Sequence, residues 1–382
     1  MEHSSITPLS SPAEITHAWL EQVLRHKLGP PLKLISWSMK LPETRSGYMS
    51  EVCFIQICFS TREGTPEDKR SLFAKFMPCY EKTLLDIMKN CHLAEREVEF
   101  YKHAFSREFR EFCDASGLHH PVPEVYWAGL EDSKITIILQ DLCSDGFRLI
   151  APAEGNSLKQ IKCVLATVAV IHGSGIATIQ KQGKRAWDIS LDISYFKNYV
   201  VDGINKQIKI FEGTPTVNTL KALLPLTSHL FSVEEKHPFL KSIIHGDLWT
   251  ANVMFSQNDQ DACIFDWQFC RVGNIVCDIL TLLLMSAEVS CYTEHLTEIL
   301  ECYWRSFEQS LQNNGVTVDV SFQDFVCNVE SMWMYGYAFF CASLPDLLKS
   351  HITEERVRGA VCFLEEKSVF RNFLSHIFTN KE

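Results

Sequence analysis

The spacing of apolar positions changes several times along the chain, and each change predicts an element. Ile15, Ala18, Trp19, Gln22 and Val23 recur at the 3.6-residue spacing of one helix face. Ser11-Pro12-Ala13-Glu14 ahead of them reads as a capping box with proline at the first helical position, and Gly29-Pro30 ends the helix. The period then drops to two. Residues 32–39 and 52–59 read as strands, the second with Cys53, Ile55, Ile57 and Phe59 alternating, and a third apolar run spans 72–78. A helical stretch starting around Lys82 carries Glu95, Glu97 and Glu99, and after the turn Pro121-Val122-Pro123 two more strands are expected over 125–129 and 135–139. From residue 140 on the pattern is mostly helical, over 157–172, 293–312, 322–343 and 354–377. The interruption is a pair of short strands, 253–255 and 263–265, around the polar turn 256–261. The reading is α+β, with a smaller β-rich first part and a larger helical second part. Residues 187–239 alternate short helical patterns with polar connections and carry no motif.

Polar residues that break these apolar runs carry the candidate chemistry. Lys75 stands inside Leu72-Phe73-Ala74-Lys75-Phe76-Met77. A buried ammonium needs a partner, whereas an edge-strand lysine could instead reach out to water. In the second part, Asp247 is followed after four intervening residues by Asn252, and Asp266 comes fourteen residues later at the end of the run 262–265. Any one of these could be a cap, a turn or a strand end. Together they have the spacing of a phosphoryl-transfer site, in which one Asp accepts the proton of the attacking hydroxyl and an Asn and a second Asp hold Mg²⁺. Two carboxylates and an amide oxygen are hard donors suited to that ion. The 253–265 hairpin would set Asn252 beside Asp266, and His245 fits the start of the loop.

The strings His245-Gly246-Asp247-Leu248-Trp249-x-x-Asn252 and Ile264-Phe265-Asp266-Trp267-Gln268 resemble those of the ecdysteroid-kinase-like, or choline-kinase-like (CHK), family. That family lies within the aminoglycoside phosphotransferase-like small-molecule kinases of the protein-kinase-like fold. His-Gly-Asp and Asp-Trp-Gln differ from the His-Arg-Asp and Asp-Phe-Gly of protein kinases, and the passage from Gln268 straight into the apolar segment 275–285 leaves no room for an activation segment. The resemblance implies a two-lobed fold, with a mobile tail over 1–10, an N-lobe over 11–139 and a C-lobe over 140–382. It implies ATP and Mg²⁺, with Asp247 as catalytic base, Asn252 and Asp266 on the metal, and Lys75 on the nucleotide phosphates. The family's Glu-x-x-Phe-Tyr pattern selects Glu97 as partner of Lys75, with Glu95 and Glu99 as the alternatives. Gly47 and Ser50 fall in the phosphate-covering loop, and Gln140 and Leu142 in the hinge, where Gln140 departs from the family's Glu-Asp-Leu. His245, His172 and Asp278 fall at supporting positions. The acceptor implied is a small-molecule hydroxyl, a steroid or similar apolar alcohol. The alternatives are a cationic acceptor of the choline or aminoglycoside type, or a pseudokinase or ligand-binding module. Trp333, Tyr335, Tyr337, Phe339 and Phe340 could line such an acceptor pocket or form core.

Composition narrows the class. The 382 residues, 46% hydrophobic and 22% charged, suffice for two lobes. A net charge of -11 disfavours nucleic acid or an anionic membrane surface as partner. The 15 cysteines are scattered without a Cys-x-x-Cys pair, which suggests buried thiols in a reducing compartment. No secretory signal is visible, and the apolar runs near 275–287 and 332–344 are interrupted or short for a bilayer. These features predict a cytoplasmic protein without membrane insertion, and nothing in them predicts a protein partner.

Overall fold

The structure, a computed structural model, describes residues 6–42, 50–62, 66–77, 86, 88–118, 121–132, 134–150, 152–182, 196–230 and 232–379. Its first part is a five-stranded antiparallel sheet of β1 (Lys33–Lys40), β2 (Glu51–Ser60), β3 (Asp68–Phe76), β4 (Val125–Glu131) and β5 (Lys134–Gln140), in the order β1-β2-β3-β5-β4. The first helix, His17–Leu28, covers one face. Its Trp19, Leu20, Val23 and Leu24 pack with Cys53, Ile55, Ile57 and Phe59 of β2 and with Leu72, Ala74 and Phe76 of β3. Because side chains alternate along a strand, burying 72, 74 and 76 under that helix turns Lys75 to the opposite face.

Two N-terminal expectations are corrected. Ser11 makes no side-chain cap bond; Pro12–Glu14 is a separate 3-10 turn, and Glu14 accepts from the Ser10 N–H at 3.1 Å. Ile15 is extended and buried, so the α-helix starts later, capped by the Thr16 hydroxyl on the Trp19 N–H at 3.2 Å. The described end of the expected tail is docked. Trp19 Nε1 donates to the Thr7 carbonyl at 2.8 Å, and the Leu9 N–H donates to Thr136 Oγ1 at 2.7 Å.

The second helical layer of this part is Leu93–Phe105, whose inner face buries Arg96, Glu97, Val98, Phe100 and Tyr101. Phe100 stacks on Trp267 with ring centroids 3.6 Å apart, and Arg96 Nη1 donates to the Cys270 carbonyl at 3.1 Å. These contacts fasten the helix to the segment just after Asp266.

Beyond Gln140 the chain is mostly helical. Leu158–Gln182 is long and apolar enough to cross a bilayer by composition, but Ile161, Val164, Leu165, Val168 and Ala169 are at most 2% exposed within the protein core. Five short strands accompany it among the described residues: β6 (Arg148–Leu149), β7 (Lys241–Ile244), β8 (Val253–Phe255), β9 (Ala262–Ile264) and β10 (Arg271–Asn274). β8 and β9 form the expected hairpin, with Met254 opposite Cys263, and β7 pairs with β10. The long helix Phe322–Ser350 carries the aromatic run. Trp333, Tyr335, Tyr337 and Phe340 are at most 2% exposed, so these four are core, while Phe339 is half-buried. The single helix expected over 354–377 is two, Glu354–Glu366 and Val369–Thr379, broken where Ser368 takes a left-handed φ of 58°.

Candidate active site

Lys75 is 7% exposed and has partners on two elements. Its Nζ donates to both Glu97 carboxylate oxygens at 2.8 Å and to Asp266 Oδ1 at 2.7 Å. Glu97 is 1% exposed, whereas Glu95 and Glu99 are half-buried and face His92 and Lys102. Burial opposes the Lys75 charge, but the Asp266 and Glu97 carboxylates outweigh it and hold the ammonium above its ordinary pKa. Burial, with a contribution from Asp266, pushes Glu97 up to about 7 despite the pull of Lys75.

Asp266 follows β9 in the left-handed region, φ 64° and ψ 61°, which aspartate tolerates better than most residues. Its N–H donates to Tyr101 Oη at 3.3 Å. Asn252 follows the Asp247 loop, and its Nδ2 donates to the Asp247 carbonyl at 2.9 Å and to Asp247 Oδ2 at 3.3 Å. The Phe265 N–H donates to the Asn252 carbonyl at 3.0 Å, which sets Asn252 against the residue before Asp266. Burial above all, with the charge of Asp266, pushes Asp247 up to about 8, against the Asn252 hydrogen bond.

His245, fully buried, ties the two carboxylate segments together. Its Nδ1 accepts from the Asp247 N–H at 3.2 Å, and its Nε2 donates to the Phe265 carbonyl at 2.9 Å. Both bonds together require the neutral ring, and burial lowers its pKa accordingly. Asp278, near the start of the helix Val276–Ser286, receives the His245 N–H at 2.7 Å and the Gly246 N–H at 2.9 Å. Its second neighbour is His172, whose Nε2 lies 3.1 Å from Oδ2 and whose Nδ1 is 2.8 Å from Tyr303 Oη. Burial would raise the Asp278 pKa, but its bond to His172 and the surrounding donors hold it below the usual carboxylate range. Gly246 has φ 80°, and a Cβ there would collide with the Phe269 carbonyl. The turn therefore admits glycine alone without strain.

Eight of the twelve residues singled out in the sequence thus converge on this cluster: Lys75, Glu97, His172, His245, Asp247, Asn252, Asp266 and Asp278. Ser50 is half-buried just before β2, and Gly47 lies outside the described residues. Gln140 turns its side chain away, with Nε2 donating to Asp145 at 2.6 Å and Oε1 accepting from the Glu124 N–H at 3.0 Å, while its own N–H donates to the Glu124 carbonyl. Two residues on, the Leu142 N–H makes no hydrogen bond among the described residues. Sequence reasoning passed over Tyr101 and Phe100 as site-holding residues. The signal was present, since they are the Phe-Tyr of the pattern that selected Glu97. Arg96, to which the sequence assigned no role, is fully buried and bonded to the Cys91 and Cys270 carbonyls.

A five-stranded sheet with a lysine paired to a helix glutamate, set over a helical part carrying an Asp-Asn loop and a strand-end Asp, defines a small-molecule kinase-like protein of the two-lobed protein-kinase-like fold. The chain belongs to the ecdysteroid kinase-like family, whose sequence profile matches residues 45–316. No curated protein sequence matches it significantly. Among solved structures it is similar to an ethanolamine kinase from Plasmodium vivax (12% identity, 88% of this chain and 84% of that one, TM-score 0.41). It is also similar to a choline/ethanolamine kinase family protein from Mesorhizobium loti (12%, 94% and 98%, TM-score 0.39) and to an aminoglycoside phosphotransferase from Streptomyces rimosus (12%, 80% and 92%, TM-score 0.36).

Proposed function

We propose that this protein transfers the γ-phosphoryl group of ATP to a hydroxyl of a small apolar alcohol, a steroid or a molecule of similar shape. The observation that carries the reading is Lys75 Nζ, at 2.8 Å from Glu97 and 2.7 Å from Asp266, whose chain neighbour Phe265 is bonded to Asn252 of the loop that holds Asp247. Phosphoryl transfer asks mainly for positioning and charge placement, and that cluster supplies both. The N-lobe, 11–139, covers the nucleotide. The C-lobe, 140–382, carries the catalytic loop, and the hinge between them offers the Leu142 N–H to the adenine. Lys75, fixed by Glu97, orients the nucleotide phosphates. Asp247 accepts the proton of the acceptor hydroxyl.

Asn252 and Asp266 fit Mg²⁺. The Asn252 amide is turned with Nδ2 on Asp247, which leaves its Oδ1, and Asp266 keeps Oδ2 beside the oxygen taken by Lys75. Two hard oxygen donors completed by phosphate oxygens are the set this ion prefers. When bound, the ion neutralises the charge on the transferring group. An apolar acceptor is supported by the aromatic surroundings of the loop: Trp249 is half-buried two residues after Asp247, Phe196 lies 5.9 Å from Phe269, and Tyr199 and Leu149 are exposed. The described cysteines are all free, in keeping with a cytoplasmic setting.

The test is Mg²⁺-dependent transfer from γ-labelled ATP into a pool of hydroxylated metabolites, with products identified by mass. The wild-type protein is expected to form a phosphorylated alcohol. Asp247→Asn is expected to bind Mg·ATP unchanged and to turn over at least about a hundredfold more slowly. Equal turnover in the variant would remove Asp247 from its role as base.

A further inference from the structure

The segment 249–250 of the catalytic loop does not stand alone. The Thr250 N–H donates to Ser286 Oγ at 2.8 Å, and the Thr250 hydroxyl donates to the Ile150 carbonyl. Facing it is the turn between the helices Phe322–Ser350 and Glu354–Glu366. That turn is stapled to the same neighbourhood. The Thr353 N–H donates to the Ala153 carbonyl at 3.3 Å, and Arg356, 4% exposed, donates from Nη1 to the Ala153 and His351 carbonyls and from Nη2 to the Met285 carbonyl. Ile150, Ala153, Trp249, Thr250, Met285, Ser286, His351, Thr353 and Arg356 therefore meet at one corner beside the catalytic loop.

At that corner the His351 ring meets the Trp249 indole edge to face, with centroids 5.4 Å apart and planes at 88°. Consecutive Cα atoms are about 3.8 Å apart, so Trp249 begins within about 7.6 Å of Asp247. Leu248 between them is fully buried, while Asp247 and Trp249 are both partly open. Trp249 is thus the partly open aromatic residue next along the chain to the hydroxyl end of any acceptor that reaches Asp247. His351 Nδ1 is buried and makes no hydrogen bond among the described residues, so the contact with the indole does not depend on a hydrogen bond from that nitrogen. His351 also lies beyond the segment 45–316 that the family profile matches.

We propose that His351 is a positioning residue for the acceptor: it holds Trp249 at the angle that makes the indole a flat wall for the body of an apolar alcohol whose hydroxyl reaches Asp247. The proposal rests on the kinase reading above. It assigns part of the acceptor selectivity to the C-terminal helices, outside the motifs that carry the phosphoryl chemistry.

The test uses the full chain with ecdysone, a polyhydroxylated steroid, as acceptor probe. Phosphate transfer and equilibrium binding are measured for the wild type, His351→Ala and His351→Phe, with thermal melting of each protein. His351→Ala is expected to raise KM and Kd for the probe roughly tenfold, as loss of a positioning contact does, while kcat and KM for ATP stay within about twofold. His351→Phe, which keeps a ring edge without the nitrogen, is expected to restore the wild-type KM. An unchanged probe KM in His351→Ala overturns the proposal and leaves the kinase reading standing. So does an equal loss of kcat, ATP affinity and melting temperature that phenylalanine does not rescue, because that is the behaviour of a merely structural residue. A wild-type protein that neither binds nor phosphorylates the probe overturns the apolar-acceptor reading, and the proposal falls with it.

Discussion

At the scale of single residues, the site is a set of charges that are stable only in one another's company. Lys75 would not stay charged at 7% exposure without carboxylates, and Glu97 would not stay charged at 1% exposure without Lys75. Asp278 plays the same part for the loop backbone. Its folded pKa is depressed below the ordinary aspartate value of about 3.9, so between the two values the unfolded chain binds the proton and the native protein does not. Its contribution to stability is thus complete above about pH 4 and is lost as pH falls through the lower, native value. Asp278→Asn is expected to reduce stability at neutral pH and to flatten the acid limb of a plot of unfolding free energy against pH. An acid limb of unchanged steepness in the variant would show that other carboxylates carry it. Much at this scale could be read from the chain. A lysine inside an apolar strand needs a partner wherever that strand is buried, and Asp247, Asn252 and Asp266 together stand at the spacing of a phosphoryl-transfer site. Arg96 could not be read, because its partners Cys91 and Cys270 offer backbone carbonyls, which every residue has.

At the scale of elements, the helix Leu93–Phe105 does two things at once. One turn presents Glu97 to β3, and the next presents Phe100 and Tyr101 to the Asp266 segment. The 3.6-residue period permits this, since residues 97, 100 and 101 share one face. Phe100→Ala removes the ring stacked on Trp267 and is expected to cost about 3–5 kcal/mol in stability, as for other buried aromatic truncations, measured by urea unfolding. A much smaller loss would mean that Trp267 collapses into the space and that the stack does not hold the two parts in place. Element boundaries were less legible than element identity. Ser11 was the expected cap, and what chose Thr16 instead is the burial of Ile15 against the sheet, a long-range contact. The break at Ser368 between the last two helices likewise has no strong local marker.

At the scale of the whole molecule, one hydrophobic cluster runs from Val98, Phe100 and Ile137 through Ile264 and Trp267 to the C-terminal helices, so the sheet and the helical part share a core. The two parts also meet through polar side chains, with Lys75 bonded to Asp266. A ligand that engages both is expected to stabilise the whole fold. Mg·ATP at a hundred times its Kd should add about 2.7 kcal/mol, seen as a rise in melting temperature that depends on the metal. Asp266→Ala is expected to abolish the metal dependence of that rise. An equal rise with and without Mg²⁺ in the wild type would count against Asn252 and Asp266 as ligands.

By itself the amino-acid sequence determined the α+β order of elements, the family, and which polar residues stand in apolar surroundings. Those properties follow from residue type and local spacing, which need no knowledge of distant contacts. Only the tertiary structure decided that Arg96 turns inward to the Cys91 and Cys270 carbonyls, that the aromatic run on the helix Phe322–Ser350 is largely core, and that His351 stands against Trp249. These depend on which face of an element meets which other element, and many sequences share the same periodicity while packing it differently.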